Sequence, residues 1–504
     1  MQGIVAYGAY VPYWRLQRSA IGSALGAAGG KGTRAVASYD EDATSMGVES
    51  ARLALKAAPE GVSPEAVLFS TASPPYLDKT NATAIHAALG LDPSVMAADV
   101  GGAVRSAIAS MGFANFAPFP VLTVLSDVRV GLPGGADERD GGDGASAFLW
   151  ARGDSVIAEQ VSFAAATDEF LDRWRMPGEP ASHVWEERFG EQVFVPLAEQ
   201  AVNDALKKIG ITAEELDHVV VTGVHARAAR SVSARIGARP ETYAPDLGPA
   251  IGSAGTAQYG IAFAEVLDRA TSGQLVLLVQ LADGVAASVY RATDAITSYR
   301  SRRAVTVAEQ IASGRDDLDY NTYLTWRGFL DREPPRRPDP EAYYGPPAHR
   351  TEAWKFAFVG SKCTECGFIH LPPARVCSRC SSIDQMTSIS LADTQATIAT
   401  YTIDRLAYTL SPPTVAAVLD FDGGGRYTCE LTDVDPDTVA VGQRVELTFR
   451  RTVTAKNIHN YFWKARPIRG GSERSDRDVT GERAPASRTE MGSGGAAPAE
   501  EGGQ

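Results

Sequence analysis

The hydrophobic pattern of the first 300 residues alternates between two kinds of segment. Short runs of apolar residues, typical of buried β-strands, are followed by longer segments with the spacing of amphipathic helices. Chains with this alternation fold as layered α/β domains. The pattern therefore predicts an α/β domain that takes up most of the chain.

This pattern repeats after about 150 residues. The stretch VLFSTASPP from Val67 resembles HVVVTGVHA from His218, and AADVGGAVRSAIASMGFA from Ala97 resembles YAPDLGPAIGSAGTAQYGIAFA from Tyr243. A third pair, PVLTVLSDVRV and QLVLLVQLADG, follows in the same order. Three ordered matches indicate a duplication. We predict two half-domains that pack as a five-layer sandwich, with strand ends and helix starts meeting at a central site.

The pattern changes in the last quarter of the chain. The segments ATIATYTI, TVAAVLDFDGGGRYTCELTDV and GQRVELTFRRTV alternate apolar and polar residues and are separated by Gly, Asp and Pro. Closely spaced strands of this kind predict a small β-barrel of about five strands, for which we favour an OB fold. From Gly470 onward almost no bulky apolar residue remains, so we expect a disordered tail.

Composition and charge narrow the class of protein. The chain has 504 residues and a net charge of −13, which argues against broad attraction to nucleic acid or anionic membranes. It contains no run of apolar residues long enough to span a membrane, and its start, MQGIVAYGAYVPYWRLQRS, lacks the features of a secretory signal. We therefore expect a cytoplasmic protein with reduced thiols and without a membrane partner.

Four of the five cysteines lie close together, as Cys363-x2-Cys366 and Cys377-x2-Cys380. Each C-x2-C pair forms a tight knuckle, and two knuckles supply a tetrahedral set of thiolates for zinc. The alternatives are a disulfide pair, against which a reducing compartment argues, and a redox C-x-x-C, against which the doubled motif argues. Because four sulfur ligands leave no position for a catalytic water, we predict a structural zinc ribbon.

Six stretches in order resemble the hydroxymethylglutaryl-CoA (HMG-CoA) synthase branch of the thiolase superfamily. They are GIVAYGAYVPYWRL, DEDATSMGVESA, GGDGASAFL, FLDRWRMPGEP, the loop at His225 and DYNTYLTWRGFL. Residues 354 to 468 similarly resemble the zinc-ribbon/OB-fold family that accompanies thiolase-like enzymes in acyl-CoA metabolism. We expect a thiolase-like domain at 1–345 with halves of about 1–160 and 161–345, a ribbon at 354–385, an OB fold at 386–468 and a tail at 469–504.

The resemblance implies a site that has lost part of its machinery. The family's nucleophilic cysteine aligns with Gly101 and its general acid/base glutamate with Ala72, while residues 1 to 362 contain no cysteine. The family histidine that polarises the acyl carbonyl matches His225, and the partner asparagine position matches Ser253. We therefore name His225 and Ser253 as candidate catalytic residues.

Three hypotheses about function follow. The first is an enzyme, an acyltransferase or lyase that uses a coenzyme A thioester and makes or breaks a C–C bond without a cysteine nucleophile; the resemblance also implies a homodimer. The second is a non-catalytic scaffold for a separate thiolase or hydratase. The third is an OB-fold nucleic-acid binder, because Phe449 to Arg469 mixes cations with aromatic rings. The same mix also suits coenzyme A or a domain interface, and the net charge argues against nucleic acid.

Overall fold

The computed structural model describes residues 2–334 and 344–469. The strands of the large domain are β1 (Gln2–Tyr10), β2 (Trp14–Gln17), β3 (Thr33–Val36), β4 (Ala66–Thr71), β5 (Met96–Gly101), β6 (Val121–Asp127), β7 (Gly144–Arg152), β8 (Ala158–Ala166), β9 (Arg173–Trp174), β10 (His183–Val184), β11 (His218–Gly223), β12 (Leu275–Leu281) and β13 (Val285–Ala292). Its helices are α1 (Arg18–Leu25), α2 (Ala43–Lys56), α3 (Ala82–Ala88), α4 (Ser106–Phe116), α5 (Ala136–Asp140), α6 (Glu187–Ile209), α7 (Ala226–Ser233), α8 (Gly248–Ile251), α9 (Thr256–Arg269), α10 (Ala295–Arg302), α11 (Val307–Ala312) and α12 (Tyr320–Trp326).

The C-terminal part is smaller and richer in strands. Its elements are α13 (Gly345–Arg350), α14 (Glu352–Ala357), β14 (Val359–Cys363), β15 (Ile369–His370), β16 (Met386–Ser390), β17 (Ala396–Asp404), β18 (Thr414–Phe421), β19 (Arg426–Leu431), β20 (Arg444–Ala455) and β21 (Ile458–Pro467). None of the helices in the described part of the chain has the length and apolar composition needed to cross a membrane. The tail expected from residue 469 lies, from residue 470 onward, outside the described residues.

The main sheet of the large domain is built from two halves with the same strand order. Nine strands follow each other as β5-β4-β6-β7-β1-β8-β13-β12-β11, and the halves meet where β1 pairs with β8. In each half, the two strand pairs nearest the centre are antiparallel: β1–β7 and β7–β6 in the first half, β8–β13 and β13–β12 in the second. The outer pairs are parallel. A parallel bridge between Val219 and Tyr243 takes the fifth position of the second half. The predicted duplication is confirmed.

Helices form three layers around these strands. Helix α2 packs on β1, β6 and β7 on one outer face, and α6 packs on β8 and β13 on the other. Helix α9 lies between the halves, because it contacts β6 and β7 on one side and β11 and β12 on the other, and α4 packs beside it. Three helical layers and two sheet layers give the five-layer arrangement, as predicted.

The C-terminal part contains the two small folds predicted from its pattern. Strands β15-β14-β16 form a three-stranded sheet that carries the cysteine knuckles. Strands β17-β18-β19-β21-β20 close into a barrel, with β19 parallel to β21 and the other pairs antiparallel. A closed five-stranded barrel is the architecture of an OB fold. The ribbon and the OB fold are therefore confirmed.

The barrel is joined to the large domain by buried ion pairs, and the acidic loop before α2 supplies several of the carboxylates. Asp40 is fully buried, with Arg450 at 3.4 Å and the Lys464 ammonium at 2.8 Å. Burial alone would raise the pKa of the Asp40 carboxyl, but the charges of Lys464 and Arg450 outweigh it and hold the pKa below its ordinary value. Beside it, burial raises the pKa of Glu41 to about 7, against the opposing charge of Arg450. The backbone N–H of Arg451 also donates to the Asp40 carbonyl.

A second group of charges lies where α2 meets β20 and β21. Glu49 accepts hydrogen bonds from Arg52 (2.9 Å) and from the backbone N–H of Phe449 (3.0 Å), and it pairs with Arg466 at 2.9 Å. Burial would raise the pKa of Glu49, but Arg52 and Arg466 reverse the effect and hold it at about 2. Three cations of the basic stretch, Arg450, Lys464 and Arg466, are thus buried against carboxylates of the same chain. Of the roles considered for this stretch, the structure shows the domain interface.

The tip of the β20–β21 hairpin reaches the loop that follows β4. The backbone N–H of His459 donates to the Tyr76 hydroxyl (2.7 Å), and the two rings pack with their centroids 4.8 Å apart. Tyr76 lies four residues after Ala72, the position that the resemblance assigns to the family glutamate. The barrel therefore contacts a loop that belongs to the candidate site.

Candidate functional site

A cleft of about 980 Å³ opens beside β11 and the helices that follow it. Its walls include β11, the start of α7, the segment around α8, and residues of β9 and β10. His225 and Ser253, which are 28 residues apart in sequence, both line this cleft. The structure thus brings the two candidate catalytic residues to one cavity.

His225 occupies the N-cap of α7, directly after β11, and is 7% exposed. Its Nδ1 accepts a hydrogen bond from the backbone N–H of Ala228 (3.0 Å). A ring nitrogen that accepts a hydrogen bond carries no proton, so the neutral imidazole must carry its proton on Nε2. Nε2 has no hydrogen-bond partner among the described residues. His225 therefore presents an unused N–H donor.

A carboxylate that the sequence analysis did not single out lies next to this donor. Asp172 Oδ1 is 4.0 Å from His225 Nε2, is buried, and also lacks a hydrogen-bond partner in the described part of the chain. Burial raises the pKa of Asp172, although the nearby His225 and Arg173 act in the opposite direction. A carboxyl with a raised pKa beside a donor is typical of groups that transfer protons.

Gly190 in α6 makes room for this pair. A Cβ at this position would lie 2.6 Å from His225 Nε2 and would also collide with Asp172 Oδ1. Because such contacts are not tolerated, any other residue here would displace the imidazole or the carboxylate. The only signal for Asp172 in the sequence was its place in the stretch FLDRWRMPGEP, one of those that carry the family resemblance.

Ser253 lies on a backbone segment that is tied to the neighbouring half of the domain. Its N–H donates to the carbonyl of Asp140, and its carbonyl accepts from the N–H of Gly142, both at 2.9 Å. The Ser253 hydroxyl is buried and makes no hydrogen bond to a described residue. It is therefore a second unused polar group in the cleft that holds His225.

The surroundings of Ala72, the position that the resemblance assigns to the family's glutamate, are apolar. Ala72, Val104 and Ala282 form a buried cluster, and Val224, the residue before His225, packs against it. Gly101, the position that the resemblance assigns to the family's cysteine, ends β5 and is exposed. Val104, which packs with Ala72, lies three residues later at the β5–α4 junction. Neither Val104 nor Ala72 can act as a nucleophile or an acid.

Asp127, at the end of β6, holds the surroundings of Ala72 in place. It is fully buried, and its Oδ1 accepts from the backbone N–H of Ala72 (2.7 Å) and from the hydroxyls of Thr71 and Ser73. Its Oδ2 accepts from the backbone N–H of Thr256, the first residue of α9 (2.6 Å). One carboxylate thus joins the loop after β4 to the start of the central helix.

The four cysteines meet at one point of the ribbon. Their sulfur atoms all lie within 4.8 Å of one another, and Cys363–Cys380 and Cys366–Cys377 are 3.7 and 3.5 Å apart. A tetrahedral site with Zn–S bonds of about 2.3 Å requires sulfur atoms about 3.8 Å apart. The residues present therefore fit a zinc ion with four thiolate ligands. All four positions are filled by protein, so such a zinc is structural.

Comparison with known proteins agrees with this division of the chain. The hydroxymethylglutaryl-CoA synthase of Aeropyrum pernix is 32% identical over 345 residues, which cover 65% of this chain and 94% of the relative. The synthase of Picrophilus torridus is 28% identical over 349 residues, which cover 66% of this chain and 98% of that protein. A crystal structure of HMG-CoA synthase complexed with CoA superposes with a TM-score of 0.55 at 17% identity, covering 64% of this chain and 89% of the other, and so shows the same fold.

The C-terminal part matches two family models. The model of the ChsH2 rubredoxin-like zinc ribbon domain matches residues 356–384, and the model of the ChsH2 C-terminal OB-fold domain matches residues 390–450. The first part of this chain matches almost the whole length of these two synthases, and the ribbon and barrel follow that part. The chain belongs to the hydroxymethylglutaryl-CoA synthase family of the thiolase superfamily, and it carries a zinc ribbon and an OB fold of the ChsH2 type in the same polypeptide.

Proposed function

We propose that this protein is an acyl-CoA enzyme that makes or breaks a C–C bond by aldol- or Claisen-type chemistry without a cysteine nucleophile. The observation that carries the proposal is the buried pair of His225 and Asp172 beside the large cleft, with an unused N–H donor and an unused carboxylate oxygen. Family membership supports an acyl-CoA substrate and a reaction at a C–C bond.

The shape and charge of the cleft support a coenzyme A thioester as the ligand. A volume of about 980 Å³ lies in the range of sites for cofactor-sized molecules. Its lining includes five arginines, a residue type suited to binding phosphate groups: Arg18, Arg139, Arg173, Arg227 and Arg230. With phosphates bound at these cations, the thioester would extend toward the interior of the domain, where His225 lies.

In this mechanism His225 stabilises negative charge and Asp172 transfers the proton. In the direction of cleavage, Asp172 accepts the proton of a β-hydroxyl group, the Cα–Cβ bond breaks, and its electron pair moves into the thioester as an enolate. The His225 N–H stabilises the enolate oxygen, and the Ser253 hydroxyl offers a second donor. Return of the proton to Cα releases a shorter acyl-CoA and a carbonyl compound. The synthetic direction reverses these steps.

The lack of a thiol supports direct chemistry on the bound thioester. Residues 1 to 362 contain no cysteine, and the cluster around Val104 and Ala72 offers neither nucleophile nor acid. A covalent acyl-enzyme would need an activated nucleophile, and none of the site residues described above provides one. We therefore propose that catalysis proceeds without an acyl-enzyme.

The test is a steady-state assay of the full chain with a panel of β-hydroxyacyl-CoA and acetyl-CoA substrates. We expect turnover that falls at least about 100-fold in His225→Ala, because an oxyanion donor contributes on this scale. His225→Gln, which retains an N–H donor, should recover part of the rate. The matched control is His86→Ala, since the His86 ring hydrogen-bonds to the Asp92 carbonyl and is not among the residues that line the cleft. Intact-protein mass spectrometry should detect no acylated chain, and an acyl adduct on residues 1–345 would refute the proposal.

A second candidate is a non-catalytic subunit that supports a separate thiolase or hydratase. The lack of a reactive side chain at Gly101 and Ala72, the positions that the resemblance assigns to the nucleophile and the acid/base, favours it specifically. In this case the purified chain would be silent with every substrate, and activity would appear only after the enzyme is added. An equal rate with wild type and His225→Ala in that mixture would favour the scaffold.

We also infer that the chain forms a homodimer through the edge of the first half-sheet. Among the described strands, β5 has a neighbour on one side only, and Phe113 and Phe116 on the following helix are 65% and 80% exposed. An open strand edge beside exposed aromatic rings is typical of a surface that pairs with another chain. Family resemblance supports a second copy of this chain as the partner.

A further inference from the structure

The hairpin of β9 and β10 is separate from the main sheet. Among the described strands these two pair only with each other, and Trp174 lies opposite His183 with the two rings stacked 5.4 Å apart. The turn is closed by Glu179, whose carboxylate accepts from the Met176 N–H (2.8 Å) and contacts the His183 ring at 3.0 Å. The hairpin is held together internally, so contacts with other segments must fix its position on the domain.

Asp172, the carboxylate beside His225, immediately precedes the first strand of this hairpin. Its backbone carbonyl accepts from the N–H of Trp185, the residue after the second strand (2.8 Å). The chain enters and leaves the hairpin at this hydrogen bond, so a shift of the hairpin also shifts the Asp172 backbone. Because Asp172 Oδ1 has no hydrogen-bond partner among the described residues, its place beside the imidazole depends on that backbone.

Two arginines of the hairpin segment anchor it on the first half of the domain. Arg173 donates to both carboxylate oxygens of Asp137 on α5, with Nη2 at 2.9 Å from Oδ1. Arg175 donates to the carbonyl of Ala72, in the loop after β4. Helix α5 and strand β4 belong to the first half, whereas the hairpin follows β8 in the second half. The anchors therefore cross the boundary between the halves.

The ion pair of Arg173 and Asp137 lies in the wall of the large cleft, because both residues line it. Their side chains are 17% and 23% exposed, so solvent screens this pair less than it screens a fully exposed one. Burial would raise the pKa of Asp137, but the hydrogen bond and charge of Arg173 outweigh it and hold the pKa below its ordinary value. A guanidinium that meets a carboxylate at two points fixes direction as well as distance.

We propose that Arg173 is a positioning residue, which through its ion pair with Asp137 holds Asp172 beside His225 for proton transfer. This inference rests on the proposed function and adds to its site two residues that act through Asp172. A carboxylate must lie within hydrogen-bond reach of the proton that it accepts, and a displacement of about 1 Å can cost about 100-fold in rate. The ion pair therefore affects the proton-transfer step and not the binding of the thioester.

The test is a steady-state assay of the full chain with the β-hydroxyacyl-CoA that the wild type cleaves fastest. We expect Asp137→Ala to lower kcat at least about tenfold and to leave KM within about twofold, while Asp137→Asn, which keeps one acceptor, recovers part of the rate. Arg173→Gln should lower kcat to a similar extent, and the double variant no further, because both changes remove the same ion pair. The matched control is Arg235→Gln, which alters an exposed pair with Glu199 outside the cleft and should change neither parameter. If Arg173 instead binds a phosphate, Arg173→Gln raises KM and Asp137→Ala leaves kcat unchanged, which would overturn the proposal.

The pH profile distinguishes positioning from a general loss of structure. Burial raises the pKa of Asp172; among the charges that face it, His225 and Arg173 lower the pKa and Asp283 raises it. In the direction of cleavage Asp172 must be ionised to accept the proton, so kcat falls as the pH drops through its pKa. Arg173→Gln removes a cation that lowers this pKa and should move the acid limb of kcat to higher pH. A loss of kcat that is the same at every pH would show an effect on the fold and would contradict the positioning role.

Hydrogen-exchange mass spectrometry of residues 170–186 tests the anchor without turnover. We expect faster exchange in Asp137→Ala than in the wild type or Arg235→Gln, because the hairpin loses a contact with the first half. Unchanged exchange, or full kcat in Asp137→Ala, overturns this inference and leaves the C–C chemistry intact. Faster exchange in a chain that is inactive with every substrate supports the anchoring by Arg173 and refutes the enzymatic proposal.

Discussion

Replacing Glu49 by glutamine tests the account of how the barrel is held on the large domain. Glutamine has the same shape and can still accept from the Phe449 N–H, so the change removes mainly the charge that Arg52 and Arg466 share. Arg52 keeps Asp393, and Arg466 keeps Glu446 and, at 3.9 Å, Asp433. The variant should therefore fold, with a less stable interface.

The magnitude follows from the pKa of Glu49. Its folded value of about 2 lies below the ordinary value of 4.5. At about 1.4 kcal/mol per pH unit, the difference corresponds to about 3 kcal/mol of stability at neutral pH. This agrees with about 3–5 kcal/mol for breaking a buried ion pair by removing one partner. We expect Glu49→Gln to lower the free energy of unfolding by about 3 kcal/mol at pH 7.

The pH dependence gives the decisive readout. A carboxyl with a depressed folded pKa contributes its full stability above its unfolded pKa and loses it as the pH falls toward the folded value. The difference between wild type and Glu49→Gln, measured by urea unfolding, should be constant between pH 7 and pH 5 and shrink from about pH 4.5 downward. Glu446→Gln is the control, since Glu446 also binds Arg466 but is 26% exposed, and should cost about 1 kcal/mol or less. A loss below about 1 kcal/mol in Glu49→Gln, or one that persists unchanged at low pH, would refute the reasoning.

Three further predictions concern the site, the ribbon and the open sheet edge. Gly190→Ala should reduce turnover at least about tenfold in steady-state assays, because its methyl group displaces His225. The control is Gly112→Ala, whose Cβ would meet no other part of the protein within 4 Å and which should leave the rate unchanged. Equal rates for the two variants would contradict the geometry. Cys377→Ser should lower the metal content measured by mass spectrometry from about one zinc per chain and destabilise the ribbon, and retention of full zinc would argue against the four-thiolate site. Phe116→Asp should convert dimers to monomers in light scattering, while Leu406→Asp, at a 94% exposed barrel position, should not; a dimeric Phe116→Asp would place the interface elsewhere.

The sequence predicted those features whose signals are local or periodic. The cysteine knuckles are defined by spacing alone, and the duplication by the recurrence of the β4, β5 and β6 patterns as β11, the Tyr243 strand and β12. His225 was identified through the family resemblance of the loop in which it lies. For these features, neighbouring residues carry all the information.

Other features depend on contacts between distant segments, which no local pattern reports. Asp172 approaches His225 where the β9 segment meets α6 at Gly190. The role of the basic stretch stayed open for the same reason: the carboxylates that bind it are about 400 residues away in sequence.

The fusion of the barrel to the synthase-like domain has a consequence for how the protein behaves on dilution. Two separate chains joined by buried charges dissociate when their concentration falls below the dissociation constant, but a tethered partner is always present at a high effective concentration. Because the barrel and the loop at Tyr76 belong to one polypeptide, they are always present in a 1:1 ratio. Any influence of the hairpin on that loop therefore persists at every cellular abundance of the protein.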